Sequence, residues 1–215
     1  MFPAVVGDVE RACATRLHGH TSRLLVYTGD AVEASDEVLV QQIGRGNRDA
    51  CREVVGRHLG RIVGFAQRTL GNRPDAEDVA QEVFLRLWTH AARWRPRGAQ
   101  LTTWLHKVAL NLCLDRLRRR QLPAGAAPEP ADTAPSPAAH VHQQEIAHHV
   151  NRALMELPEH QRAAIALCHY QGLRNAEAAD VLGVSVEALE SLLARGRRTL
   201  RARLRDLAPD LLAEG

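Results

Sequence analysis

Leu101–Arg120 reads LTTWLHKVALNLCLDRLRRR, and the fold of the chain turns on it. The stretch is rich in Leu and has no Gly or Pro, so a helix of several turns is expected. At about 100° per residue, Leu101, Leu105, Val108 and Leu112 form one apolar stripe. Leu110, Cys113, Leu114 and Leu117 form a second on the far side. A helix apolar on two sides is packed between neighbours. The row of Trp104, Lys107, Asn111 and Arg118, edged by Asp115, is then its main window onto solvent. That window ends in Arg116, Arg118, Arg119 and Arg120. Rings, amides and cations of this kind stack on bases, read base edges and neutralise phosphates. The plainer reading is a core helix with an Arg-rich solvated end.

Immediately before it, Ala92–Gln100 (ARWRPRGAQ) is a basic loop holding Trp94, Pro96, Arg97 and Gly98. An aromatic among arginines beside a polar helix window suits an unstacked base. Further upstream, DAEDVAQEVFLRLWTH predicts a helix over Asp75–His90 with Asp75 as its N-cap. Val79, Ala80, Val83, Phe84, Leu87 and Ala91 fall in one arc and form its core side. Asp78, Gln81, Glu82, Leu85 and Trp88 occupy the opposite face. Large apolar side chains among acids suit a protein contact, while an amphipathic helix with acids near its positive end accounts for the same pattern. Two earlier helices are expected. One is capped by Ser35 or Asp36 and carries Val38, Leu39 and Ile43. The other runs from about Arg48 to Leu70, burying Val54, Val55, Leu59, Ile62, Val63 and Ala66, and is closed by Gly71–Pro74. Residues 1–34 show no sustained period and read as an extension of unknown role.

Downstream, Leu122–Ala139 (LPAGAAPEPADTAPSPAA) holds five of the ten prolines and predicts a flexible linker. Asn151–Tyr170 predicts a short helix ending before Pro158 and a longer one after it, with Leu154, Leu157, Ile165, Ala166 and Leu167 buried. Cys168 there reads as a packing thiol. NAEAADVLGVSVEALESLLARGRRTLRARL then predicts a helix-turn-helix. Asn175 is expected to cap its first helix, Gly183 to make the turn and Ser185 to cap the second. With Leu189 inward, Glu187, Ala188, Ser191, Arg195 and Arg198 point outward, toward a major groove and its phosphates. The N-terminus at Ser185 suits a phosphate.

Composition sets the outer bounds. A chain of 215 residues, 45% apolar and 4% aromatic, suits a mostly helical protein of one large or two small domains. A net charge of +3 is weak evidence for nucleic acid, so the placement of charge carries that argument. Cys13, Cys51, Cys113 and Cys168 are widely spaced and read as reduced thiols rather than a disulfide framework. No apolar run approaches a membrane span, and the start lacks the pattern of a secretory signal, which predicts a cytoplasmic protein without membrane insertion. His18 and His20 with Cys13, and His140, His142, His148 and His149, read as surface residues more readily than as metal ligands. No metal and no cofactor are expected. Enzyme motifs (HExxH, GxSxG, GxxxxGK[ST]) are absent, and no enzymatic activity is expected.

The fold expectation is therefore all-α, two small helical domains joined by a flexible linker. The divisions are 1–34 extension, 35–121 first domain, 122–140 Pro/Ala-rich linker, 141–207 second domain and 208–215 tail.

Four segments in this order, DAEDVAQEVFLRLW, RWRPRGAQLTTWLHKVALNLCLDRLRRR, LPEHQRAAIALCHYQGL and AEAADVLGVSVEALESLLARGRRTLR, resemble extracytoplasmic-function (group IV) sigma factors of the bacterial sigma-70 family. The resemblance covers about Asp36 to Leu204. It implies a sigma-2 helical bundle and a sigma-4 helix-turn-helix that carry RNA polymerase to promoters. Asp78, Gln81, Glu82, Leu85 and Trp88 would hold the beta-prime clamp helices of core polymerase, with the beta flap as a further contact. Trp94, Arg97, Trp104, Lys107, Asn111, Asp115, Arg116, Arg118 and Arg119 would engage the minus-ten element as a base is flipped out. Ser185, Glu187, Ala188, Ser191, Arg195, Arg197 and Arg198 would read the minus-thirty-five element as duplex. The linker would thread toward the RNA exit path, and an anti-sigma factor is the implied regulator. At Glu190 and Leu192 many relatives carry Lys and Arg, so weaker phosphate contact and a shifted base preference are expected there. A regulator sensing metal or oxidant through Cys13, Cys51 or the histidines is the alternative from another class.

Overall fold

Local capping sets the helix boundaries of the computed structural model, which describes residues 34–94, 100–121 and 149–213, without the side chains of 121 and 206–213. The extension as far as residue 33, the linker, Arg97, Cys13 and His140, His142 and His148 lie outside the described residues. Helix α1 (Asp36–Gly44) is capped by Ser35, whose Oγ accepts the Val38 N–H at 3.4 Å. Asp36 instead ties α1 to α2, since its carboxylate accepts from Arg57 at 3.2 Å and lies 2.8 Å from His58 Nε2. Leu39, Val40 and Ile43 form the buried arc of α1. Val38, expected on that arc, falls well off it and is 43% exposed.

Helix α2 (Arg48–Leu70) starts at Asn47, whose Oδ1 accepts from Asp49 and Ala50, and ends at Gly71 with φ +77°. The expected residues Val54, Val55, Leu59, Ile62 and Ala66 are buried, Val63 is half-buried, and Phe65 joins them with no exposure. Helix α3 (Arg73–His90) begins a turn-fraction earlier than expected. Pro74 lacks an N–H and fits the first turn, so Asn72 is the cap and its Oδ1 accepts from Asp75 N–H at 2.9 Å. Asp75 is not the cap; its carboxylate instead takes the guanidinium of Arg120. Val79, Ala80, Val83, Phe84, Leu87 and Ala91 are all buried, as the periodicity requires. Helix α4 (Leu101–Gln121) completes this four-helix unit.

The second unit comprises α5 (149–155), α6 (Glu159–Ile165), α7 (Asn175–Leu182) and α8 (Val186–Ala213). Leu154, Leu157, Ile165, Ala166 and Leu167 are buried. Helix α6 runs into a wider π turn, Ala166–Tyr170, closed by the Gln171 N–H on the Ala166 carbonyl at 3.0 Å. Asn175 does not cap α7. The cap is Arg174, whose N–H is accepted by Glu177 at 2.9 Å, and Asn175 is the first helical residue. Gly183 (φ +66°) makes the turn and Ser185 Oγ caps α8 by accepting from Ala188 at 3.2 Å, both as expected. Helix α8 continues to Ala213, with no break at 208 where the expected tail begins.

Helix α4 has neighbours on both sides, as its two apolar stripes demand. One side packs in the first unit against α2 and α3; the other meets α7 of the second. Helix α2 meanwhile packs on α6 and its π turn. Around this seam Arg61 donates to the Gln171 carbonyl at 2.6 Å, the Arg68 guanidinium lies 4.1 Å over the Tyr170 ring, and Lys107 pairs with Asp180 at 3.2 Å. A Cβ on Gly71 would meet the Met155 thioether, which packs against this glycine across the seam. The π turn thus serves the seam directly, since Tyr170 and Gln171 lie at its end.

Candidate nucleic-acid and protein interfaces

The first candidate surface is a groove of about 410 Å³ between α3 and α4. Asp78, Gln81, Glu82, Leu85 and Arg86 line it from α3; Leu112, Asp115, Arg116 and Arg119 line it from α4. Two acids and Arg86 on the α3 wall therefore face two cations and Asp115 on the α4 wall. Arg116 approaches Asp78 at 3.8 Å, and Arg86 holds Glu82 at 2.8 Å. Leu85 and Leu112 supply apolar contact. Four of the five residues singled out on the α3 face share this groove. Trp88 does not; it is half-buried against the core. Asp115, Arg116 and Arg119, grouped in the sequence with the basic end of α4, belong geometrically to the groove. Sequence reasoning missed Leu112 and Arg86. Leu112 belongs by its spacing to an apolar stripe, and it is only 8% exposed.

The second surface is the row along α4. Trp104 and Trp94 meet edge to face with centroids 5.5 Å apart, and the His90 ring lies 6.3 Å from Trp104. Lys107 and Asn111 follow, both exposed, and Arg118 ends the row in a 2.7 Å pair with Asp115. The row is thus present as read, except that Lys107 is paired to Asp180 of α7 rather than facing solvent alone. A surface pair of this kind contributes about 1 kcal/mol or less, so a phosphate can replace its carboxylate. Behind the row lies His106, 1% exposed, which the sequence reading passed over. Its Nδ1–H donates to the Thr102 carbonyl at 2.7 Å and its ring meets Phe65 edge-on at 5.5 Å. Gln171 approaches the ring, yet Nε2 is buried without a hydrogen-bond partner. Burial above all pushes the imidazole pKa down to about 4.

The third surface is the outer side of α8. Leu189 and Leu193 are buried, and Gly196 lets α8 approach Ile165 where a Cβ would collide. Glu187, Ala188, Ser191, Arg195, Arg197 and Arg198 are exposed as expected. The Glu187 carboxyl is held below the usual range by its own backbone N–H and by the Ser185 hydroxyl. Arg195 Nε donates to the Ser191 carbonyl at 3.2 Å.

No group of three His, Cys, Asp or Glu side chains among the described residues could hold a metal ion. Burial pushes the Cys113 thiol up to about 12 and also raises Cys168. Thiols of that kind are protonated at neutral pH and poor at oxidation or metal binding. No helix among the described residues is long and apolar enough to cross a membrane.

Comparison with known proteins agrees with this arrangement. Residues 54–122 match the family model for sigma-70 region 2, and residues 149–200 match that for sigma-70 region 4. The ECF RNA polymerase sigma factor SigM of Mycobacterium tuberculosis is 36% identical over 172 residues, covering 80% of this chain and 86% of that protein. SigE of Mycolicibacterium smegmatis is 34% identical over 182 residues, covering 80% and 70%, and SigW of Bacillus subtilis 29% over 180 residues, covering 78% and 96%. Among solved structures, CnrH in complex with the cytosolic domain of CnrY superposes with a TM-score of 0.63 at 28% identity, covering 80% of this chain and 99% of that one. The fold is also that of RpoE from Bartonella quintana (TM-score 0.60, 23% identity, covering 72% and 96%). On these grounds the chain belongs to the extracytoplasmic-function sigma factors of the sigma-70 family.

Proposed function

We propose that this chain is an alternative sigma factor that binds core RNA polymerase, recognises the minus-thirty-five and minus-ten elements and helps to melt promoter DNA. In this reading 35–121 is the unit for polymerase and the minus-ten element, 122–140 the connection, and 141–207 the unit for the minus-thirty-five element. The observation that carries it is the adjacency on one pair of helices of an acidic-apolar groove and a ring-cation-amide row, with a helix-turn-helix in the same chain.

The three surfaces divide the work by their chemistry. The α3–α4 groove offers Leu85 and Leu112 as apolar anchors within a charged rim, the composition of a protein interface. It takes the beta-prime clamp helices. Trp94 and Trp104 provide ring faces for an unstacked base, while Lys107, Asn111 and Arg118 hold the strand. Flipping a base costs a few kcal/mol. Stacking on an aromatic returns about 1–3 kcal/mol per base, so one or two rings nearly offset the cost. Arg97, outside the described residues, joins this strand contact by the family's pattern. Asp115, Arg116 and Arg119 contribute to polymerase contact through the groove. Helix α8 enters the major groove with its N-terminal turns, while Arg195, Arg197 and Arg198 meet phosphates. The beta flap of polymerase contacts this second unit. Sigma factors are not known as enzymes, and the chemistry of RNA synthesis belongs to polymerase. The chain works beside polymerase in the cytoplasm. An anti-sigma protein is the partner class that restrains it, consistent with a solved relative held by a second protein's cytosolic domain.

Run-off transcription on genomic promoter fragments tests the reading. The purified chain with core polymerase should give discrete transcripts that neither gives alone. Absence of any chain-dependent transcript overturns it.

A further inference from the structure

We propose that Glu190 is a base-reading residue, whose carboxylate selects cytosine at one position of the minus-thirty-five element by accepting its N4–H in the major groove. The inference rests on the sigma-factor reading above and assigns a specificity determinant to its second unit.

Two carboxylates stand on the first two turns of α8, and their surroundings differ. Glu187 folds back: its oxygens accept from its own backbone N–H and from Ser185. Its hydrogen-bonding capacity serves the helix start. Glu190 is exposed, roughly 100° around the helix from buried Leu189. The side-chain amide of Asn175, at the first turn of α7, donates to its Oε1 at 3.3 Å. That contact draws the carboxylate toward the first turn of α7. It uses one of about four acceptor positions on the exposed group. No described cation forms an ion pair with Glu190, although Arg195, Arg197 and Arg198 follow within two turns.

An anion placed there is repelled by the phosphates on either side of a major groove. It weakens every complex equally unless it finds a donor among the base edges. The major groove presents two kinds of donor, cytosine N4–H and adenine N6–H, and adenine adds an acceptor at N7 beside its donor. A carboxylate has no hydrogen to give N7, so cytosine is the matched base. Asn175, which aims the carboxylate without touching DNA, is a positioning residue.

The experiment uses full-length chain with core polymerase on promoters in which each minus-thirty-five position is randomised in turn, transcripts being counted by sequencing. The unaltered chain should prefer cytosine at one position by about tenfold, the discrimination that a good base contact gives. Glu190→Ala should flatten that position and leave the others unchanged. Glu190→Gln should move the preference to adenine and Glu190→Lys to guanine, following the edges these side chains match. Asn175→Ala should reduce discrimination at the same position. Identical base preferences in all variants overturn the proposal, as does an even loss across every position or a fall in melting temperature with the preference unchanged. If the unaltered chain yields no transcript from any member of the library, the sigma-factor reading itself falls, and this inference with it.

Discussion

Acidification from pH 7 to pH 5 should weaken this protein through one side chain, His106. Its imidazole is 1% exposed and lies between Phe65 of α2, the Thr102 carbonyl of its own helix and Gln171 of the second unit. Desolvation is the largest cause of its lowered pKa; the Thr102 hydrogen bond opposes it, and the charges of Arg61 and His58 add to it. The native pKa of about 4 lies below the ordinary 6.5, so the unfolded chain takes up the proton first. The stabilisation is complete above pH 6.5 and is lost as pH falls toward 4. At about 1.4 kcal/mol per unit the full effect is on the order of 3 kcal/mol, and roughly 2 kcal/mol of it is lost between pH 7 and pH 5. His106→Gln keeps a donor near Thr102 and cannot titrate. Urea unfolding of both proteins, followed by circular dichroism at the two pH values, isolates the effect. The difference in pH slope should be roughly 2 kcal/mol whatever the variant's stability at pH 7. Equal slopes would refute the reasoning.

The other expectations concern the interfaces and the core. Leu85→Ala with Gln81→Ala should lower core-polymerase affinity at least about tenfold while circular dichroism stays unchanged; unchanged affinity would remove the groove from that contact. Asn111→Ala, at an exposed position, should impair promoter opening in a permanganate assay more than it impairs polymerase binding, whereas equal losses would mark it as structural. Leu189→Ala, at a site with 0% exposure, should cost about 3 kcal/mol and loosen the second unit before the first in amide exchange.

Much of this was readable from the chain because helical period and caps are local. Asn47 and Gly71 bracket α2 within a residue of where its apolar repeat predicts, and the core arc of α3 follows from its spacing alone. Capping depends on more than residue type. Asp75 and Asn175 are good caps by type, yet Asn72 and Arg174 hold those positions, because Pro74 and Glu177 complete the first turns differently. The division of α4 into a groove side and a row side depends on where α3 sits, so Arg116 and Arg119 could not be separated from Arg118 by sequence. The seam was hidden for a related reason. His106 falls on the second apolar stripe, beside Cys113 and Leu110, where a polar type breaks the pattern, and its neighbour Gln171 follows a π turn that shifts the register after Ala166. Pairing across 65 residues is not a local pattern. The same holds for Asn175 and Glu190, brought together by the turn at Gly183.

The claim beneath all of this is that the chain opens DNA in partnership with polymerase and not alone. Permanganate footprinting on a promoter that the chain serves tests it most directly. Thymines around the minus-ten element should become reactive with chain and core polymerase together, and remain protected with either by itself. Reactivity with the chain alone, or continued protection with both, would contradict the account.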